Sequence, residues 1–137
     1  MSWLFYSLST VVLFALWSVL GKIALRTATP VQTTLLYGLA GVAIALAAIA
    51  IGQRTNGWSV STLWVGVVSA LCGGLGLMTF YLALDRGKAS LAVPIVGFYP
   101  ALVAVLSVAF LDERLSALQV AGIVLAVAGV ALIGAGG

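Results

Sequence analysis

Residues 110–133 read FLDERLSALQVAGIVLAVAGVALI. Three adjacent charges, Asp112, Glu113 and Arg114, stand between long apolar runs in a chain of 137 residues that has only six basic and three acidic side chains. A charge at the centre of a membrane helix costs roughly 2.5–3.5 kcal/mol on the insertion scale. Three in a row therefore mark a point where the chain has left the hydrocarbon, and the triplet reads as the turn between two spans. Asp112 and Glu113 also precede a helix whose amino-terminal dipole favours negative charge, and Ser116 with Gln119 has the spacing of a capping box.

The rest of the chain divides in the same way. Apolar residues make up 64% of it and charged residues 7%, with a mean hydropathy of +1.27, whereas a soluble domain is about 25% charged. Crossing a hydrocarbon core of ~30 Å takes about 20 apolar residues as a helix. The sequence offers five such runs: Trp3 to Ala24, Val31 to Ile51, Val60 to Leu84, Ala89 to Leu111 and Ala117 to Ala135. Each is near twice the ~10 residues of a barrel strand, and none alternates strictly. The fold class expected is an all-α integral membrane protein, five transmembrane helices in a single domain, residues 1–137. The amino-terminal run lacks a basic leader, and its apolar core is longer than a secretory signal's, so it reads as a retained first helix.

The connectors RTATP, GQRTNGWS, DRGK and DERLS are too short to hold a soluble domain. A net charge of +3 on such loops implies membrane flanks and no nucleic-acid partner. Lys22, Arg26, Arg86 and Lys88 fall on one side of five spans, and Arg54 and Arg114 on the other. By the positive-inside rule the first side is cytoplasmic, with the amino terminus outside and the carboxyl terminus inside a cell (inner) membrane. The bias is weak enough to permit both orientations.

Helical periodicity shows which residues share a face. The first span aligns Ser7, Thr10, Phe14, Trp17 and Gly21. The second aligns Thr34, Tyr37, Gly38, Gly41, Ala45 and Ala48, and the third Thr62, Gly66, Ser69, Gly73, Gly76 and Phe80; both read as narrow, close-packing ridges. Pro94 and Pro100 remove two backbone donors from the fourth span and predict a bend there. With Gly97 between them, this is the interrupted form in which transporters place broken backbone beside a substrate path. The fifth span carries a small-residue seam, Gly122, Ala126 and Gly129, suited to close helix packing or a dimer contact.

Several chemistries lack their residues. The chain has no histidine and one cysteine, Cys72, so it offers no imidazole metal site, no Ser-His triad and no intrachain disulfide. Asp85, Asp112 and Glu113 all fall at span ends, not in the interior where proton-coupled pumps keep an ionisable group. No enzyme, metal or cofactor is expected. Trp3, Trp58 and Trp64 read as interfacial anchors. Trp17, deep in the first span, reads instead as a cavity wall, together with Tyr37 and Tyr81. Lys22 intrudes on the first span, either snorkelling to the headgroups or drawing an anionic group to a cavity mouth.

Residues 15–25, ALWSVLGKIAL, resemble the Trp-then-Lys opening of EamA-type repeats in the drug/metabolite transporter superfamily. Residues 93–133 resemble their closing half, carried by Pro100, Glu113, Arg114, Leu115, Ser116, Gln119, Gly122 and Gly129, and YLALDRGKAS (81–90) is similar to the link before it. The resemblance implies export or exchange of small metabolites, such as amino acids, by alternating access. Familiar members carry two inverted repeats and ten helices, so it further implies that this five-helix repeat is completed by a second copy, a homodimer that could be antiparallel. Two other readings stay open: a flippase for lipid or lipid-linked sugar, and a non-transporting membrane subunit packed against a larger partner.

Overall fold

The computed structural model describes residues 2–54, 57 and 59–136. Among them the chain is all helical: α1 (Ser2–Ala24), α2 (Pro30–Ala50), α3 (Val60–Arg86), α4 (Ala89–Val96), α5 (Tyr99–Phe110) and α6 (Ala117–Ala135). With α4 and α5 counted as one stretch, Ala89–Phe110, five of these are long and apolar enough to cross a membrane. Helix is the form such segments must take, because hydrocarbon offers no partner to an unpaired backbone group. The helices gather into two compact units, Met1–Arg86 and Gly87–Gly137.

In the first unit α1 and α2 each pack on α3. The buried apolar core is small, Phe80, Tyr81 and Leu84, joined by the polar Ser18 and Thr33. Hydroxyls in the helices are satisfied locally: Ser18 Oγ donates to the Phe14 carbonyl at 2.8 Å, Thr33 Oγ1 to Thr29 at 3.0 Å and Thr10 Oγ1 to Tyr6 at 2.8 Å. Such back-bonding lets serine and threonine sit in apolar surroundings. The stripe traced along α1 divides in exposure, with Gly21 buried and Thr10 exposed, and Ser18 is buried beside it.

The start of α2 carries a capping box that the sequence reading passed over. The Thr29 hydroxyl accepts from the Gln32 amide at 3.2 Å, the Thr29 amide donates to Gln32 Oε1 at 2.8 Å, and Pro30 occupies the first turn. The glycine ridges of α2 and α3 are not close-packed as expected. Among the described residues, a Cβ built at Gly38, Gly41, Gly66, Gly73 or Gly76 meets nothing within 4 Å. The two helices meet instead where Thr34 Oγ1 lies 3.5 Å from Met78 Sδ.

In the second unit α4 packs on α6. The fourth span is broken, as its prolines predict, and the break falls between them at Gly97 and Phe98. Gly97 and Phe98 donate to the Val93 and Ile95 carbonyls at 2.8 and 3.1 Å, closing α4, and the next turn restarts as α5. A side chain at 97 would crowd that turn, since its Cβ would lie 3.0 Å from the Pro94 oxygen and 3.3 Å from that of Val93.

The charged triplet ends α5. Asp112 takes a left-handed conformation, φ 54°, which aspartate tolerates better than most residues. Four residues later the expected capping box opens α6: Ser116 Oγ accepts from the Gln119 amide at 3.3 Å, and the Ser116 amide donates to Gln119 Oε1 at 2.8 Å.

Candidate functional site

Trp17 is the hub of the first unit. Its indole Nε1 donates to the Tyr81 hydroxyl at 2.8 Å, joining α1 to α3. Around the same ring stand Phe80, stacked at 5.1 Å and 27°, Tyr81 edge-on at 5.8 Å, Tyr37 from α2 at 5.7 Å and Phe14 at 5.8 Å. Aromatic pairs at such separations add ~0.5–1.5 kcal/mol each beyond their buried area.

The three aromatics read from the sequence thus converge, but as a packed cluster in which they differ in access. Tyr81 is 2% exposed, Trp17 half-buried and Tyr37 46% exposed. Tyr37, Phe14 and the free part of the indole form the accessible surface of the cluster, and Tyr81 lies behind them. Phe14 and Phe80 also belong to the cluster. Both lay on the stripes traced along α1 and α3, so the signal was present.

Lys22 joins the same seam. Its ammonium donates to the Leu84 carbonyl oxygen, one of the last four of α3, which no amide within the helix can reach. A cation there also complements the negative end of the helix dipole. Trp17, Gly21 and Lys22 together join α1 to the carboxyl-terminal end of α3.

The second unit holds Pro94, Gly97 and Pro100 at the break. Gly97, Phe98 and Pro100 line a groove of about 200 Å³ whose far wall is Ile123, Ala126 and Val130 of α6. Every lining residue is apolar. Pro100 cannot donate to the Val96 carbonyl nor Pro94 to that of Ser90, which leaves backbone acceptors within the span. Of the small-residue seam only Ala126 reaches the groove. A Cβ at Gly122 or Gly129 meets nothing within 4 Å among the described residues.

Trp64 is exposed in the early turns of α3, as an interfacial anchor would be; Trp58 and the Trp3 side chain lie outside the described residues. Cys72 is exposed on α3.

The model of the EamA-like transporter family matches residues 1–135. The chain belongs to that family. An EamA-like chain of this kind is a multi-pass membrane protein of the drug/metabolite transporter superfamily, and the match takes in every element described above. It is also similar to the uncharacterized protein MJ1333.1 of Methanocaldococcus jannaschii, with 39% identity over 71 residues, 52% of each chain. This EamA-like chain thus covers about half the length of the curated relative it matches. No solved structure matches it.

Proposed function

We propose that this EamA-like chain carries a small metabolite, an amino acid or related compound, across the cell (inner) membrane by alternating access. The observation that carries the proposal is the aromatic cluster. Trp17 is fixed by a hydrogen bond at 2.8 Å and flanked by the half-exposed Tyr37, a rigid surface of π faces and phenol hydroxyls. Such a surface suits a solute with an apolar or cationic part and a hydrogen-bonding group. In this reading Trp17 and Tyr37 contact the solute and Tyr81 supports them. The broken fourth span, Pro94 to Pro100, is the moving element, because its two short helices meet at a turn that can flex without unpairing a continuous helix.

The carrier is completed by a second copy. Five spans place the termini on opposite sides, so an inverted pair needs one copy inserted each way, which the weak basic bias of the loops permits. Reporters fused to the carboxyl terminus test this arm: activity on both sides of the membrane is expected, and activity on one side alone would sink the antiparallel dimer.

Transport is tested with purified protein in liposomes preloaded with single metabolites. Counterflow of at least one class is expected, together with its loss in Trp17→Ala. Counterflow that survives Trp17→Ala unchanged removes the cluster from the path. The groove of the second unit, lined by apolar residues, favours a second reading, lipid flipping, in which an acyl chain rather than a solute is held. A fluorescent-lipid scrambling assay on the same liposomes separates the two.

A further inference from the structure

Gly21 lies one turn beyond Trp17 on the buried side of α1. A Cβ at this position would stand 3.0 Å from Tyr81 Cε1 and 4.0 Å from Leu84 Cδ1. The Tyr81 ring therefore rests close against the backbone of α1, in space that a Cβ would crowd by a few tenths of an ångström. From there its hydroxyl accepts the Trp17 indole N–H at 2.8 Å. The ring has little room to retreat, being 2% exposed and in contact with Trp17 and Phe80. A hydrogen bond weakens quickly as distance and angle leave their optimum.

We propose that Gly21 and Tyr81 are positioning residues for Trp17: the missing side chain at 21 seats the phenol, and the phenol fixes the orientation of the indole that meets the solute. Indole has one donor and no acceptor, so this bond selects a single ring orientation among the rotamers the half-buried site would otherwise admit. The inference rests on the carrier reading for its functional consequence, but its structural step stands apart from transport.

Two measurements test the two steps separately. In micelles, protein labelled with 15N-tryptophan should give indole signals from its four tryptophans, and the signal missing in Trp17→Phe belongs to Trp17. Tyr81→Phe keeps the ring and the packing but removes the acceptor. It is expected to move the Trp17 signal upfield and speed its proton exchange. Gly21→Ala should move the same signal in the same direction, Gly21→Val further. In the Tyr81→Phe background Gly21→Ala should add little, because residues acting through one contact are not additive. In liposomes, Tyr81→Phe and Gly21→Ala should each raise KM about fivefold, the scale of one lost hydrogen bond, with a smaller change in maximal rate.

A Trp17 signal unmoved by Tyr81→Phe overturns the proposal even if the Gly21 variants fail to fold. Full additivity of Gly21→Ala and Tyr81→Phe overturns the part assigned to Gly21. If the signals move as expected and KM does not, positioning of the indole does not serve transport and the functional step is lost. Absence of counterflow for every metabolite would refute the carrier reading while leaving the indole result to judge the structural step.

Discussion

The two units solve the same problem, association of helices in lipid, with different chemistry. The first joins α1 to α3 through directional contacts: an indole hydrogen bond, an ammonium on a helix-end carbonyl and ring faces at 5.1 to 5.8 Å. The second packs α4 on α6 with no such bonds among its described side chains, and the groove between its break and α6 is lined by apolar residues. Lipid tails are as apolar as leucine, so burial alone drives little association there. Directional contacts fix a geometry, whereas small apolar surfaces can slide. The contrast matches the proposed division of labour, with recognition on the first unit and movement on the second.

Trp17→Ala is the severest test of that contrast. It removes the ring touched by Phe14, Tyr37, Phe80 and Tyr81 and leaves the Tyr81 hydroxyl without its donor. Truncation of a packed tryptophan costs ~3–5 kcal/mol, expected as a large fall in the denaturant midpoint in mixed micelles. A loss below about 1 kcal/mol would show that the cluster is not the cohesive centre of the first unit.

Gly97→Val comes next. Its Cβ would meet backbone oxygens of Val93 and Pro94, which cannot turn aside as a side chain can. Overpacking of this kind costs ~1–3 kcal/mol, and a shifted turn should slow counterflow by an order of magnitude or more while the Trp17 indole signal stays in place. Unchanged counterflow would end the claim that the break moves. Lys22→Met is expected to cost a similar ~1–3 kcal/mol, the worth of a hydrogen bond from a charged donor. Lys22→Arg should recover part of it, since the longer cation can still reach the Leu84 carbonyl. If Lys22→Met is neutral in denaturant titration, the ammonium serves only the headgroup region.

The helix caps provide a smaller and more even comparison, one in each unit. Thr29→Ala and Ser116→Ala each remove a side-chain acceptor from an amide three residues on. Each is expected to lower stability by about 1 kcal/mol, read from denaturant midpoints, with faster amide exchange at Gln32 and Gln119. A marked inequality between the two would show that one connector is held by something besides its box.

These elements also show how far the sequence could be read. Span existence was legible because length and hydropathy decide it, and the ends agree closely: α3 runs on to Arg86, past the expected Leu84. The break in the fourth span was legible as a bend, since proline cannot donate. Its site at Gly97 and Phe98 follows from the combined effect of Pro94 and Pro100, which no single residue announces. Ser116 and Gln119 were recognised as a capping box, while Thr29 and Gln32, with the same spacing, were passed over because one was read as connector and the other as span. Trp17 was chosen as a tryptophan deep in its span, with Tyr37 and Tyr81 named beside it as aromatic walls, and the three do converge. The bond between Trp17 and Tyr81 spans 64 positions, and helical periodicity, which orders residues within one helix, cannot pair faces of different helices.

The smallest effects are expected at Gly122 and Gly129, and their sign is the informative part. Glycine inside a helix is less stable than alanine by roughly 0.5–1 kcal/mol, and a Cβ at either position meets nothing within 4 Å among the described residues. Gly122→Ala and Gly129→Ala should therefore slightly stabilise the isolated chain. If a second copy packs on this seam, the added methyl instead holds the two backbones apart, and the same changes should weaken the dimer. The two quantities can be measured on one sample, stability by denaturant midpoint and association by energy transfer between labelled copies as lipid dilutes them. A higher midpoint with weaker association places the second copy on α6. A higher midpoint with unchanged association removes the seam from the dimer contact and moves the search to the glycine ridges of α2 and α3, which stand equally open.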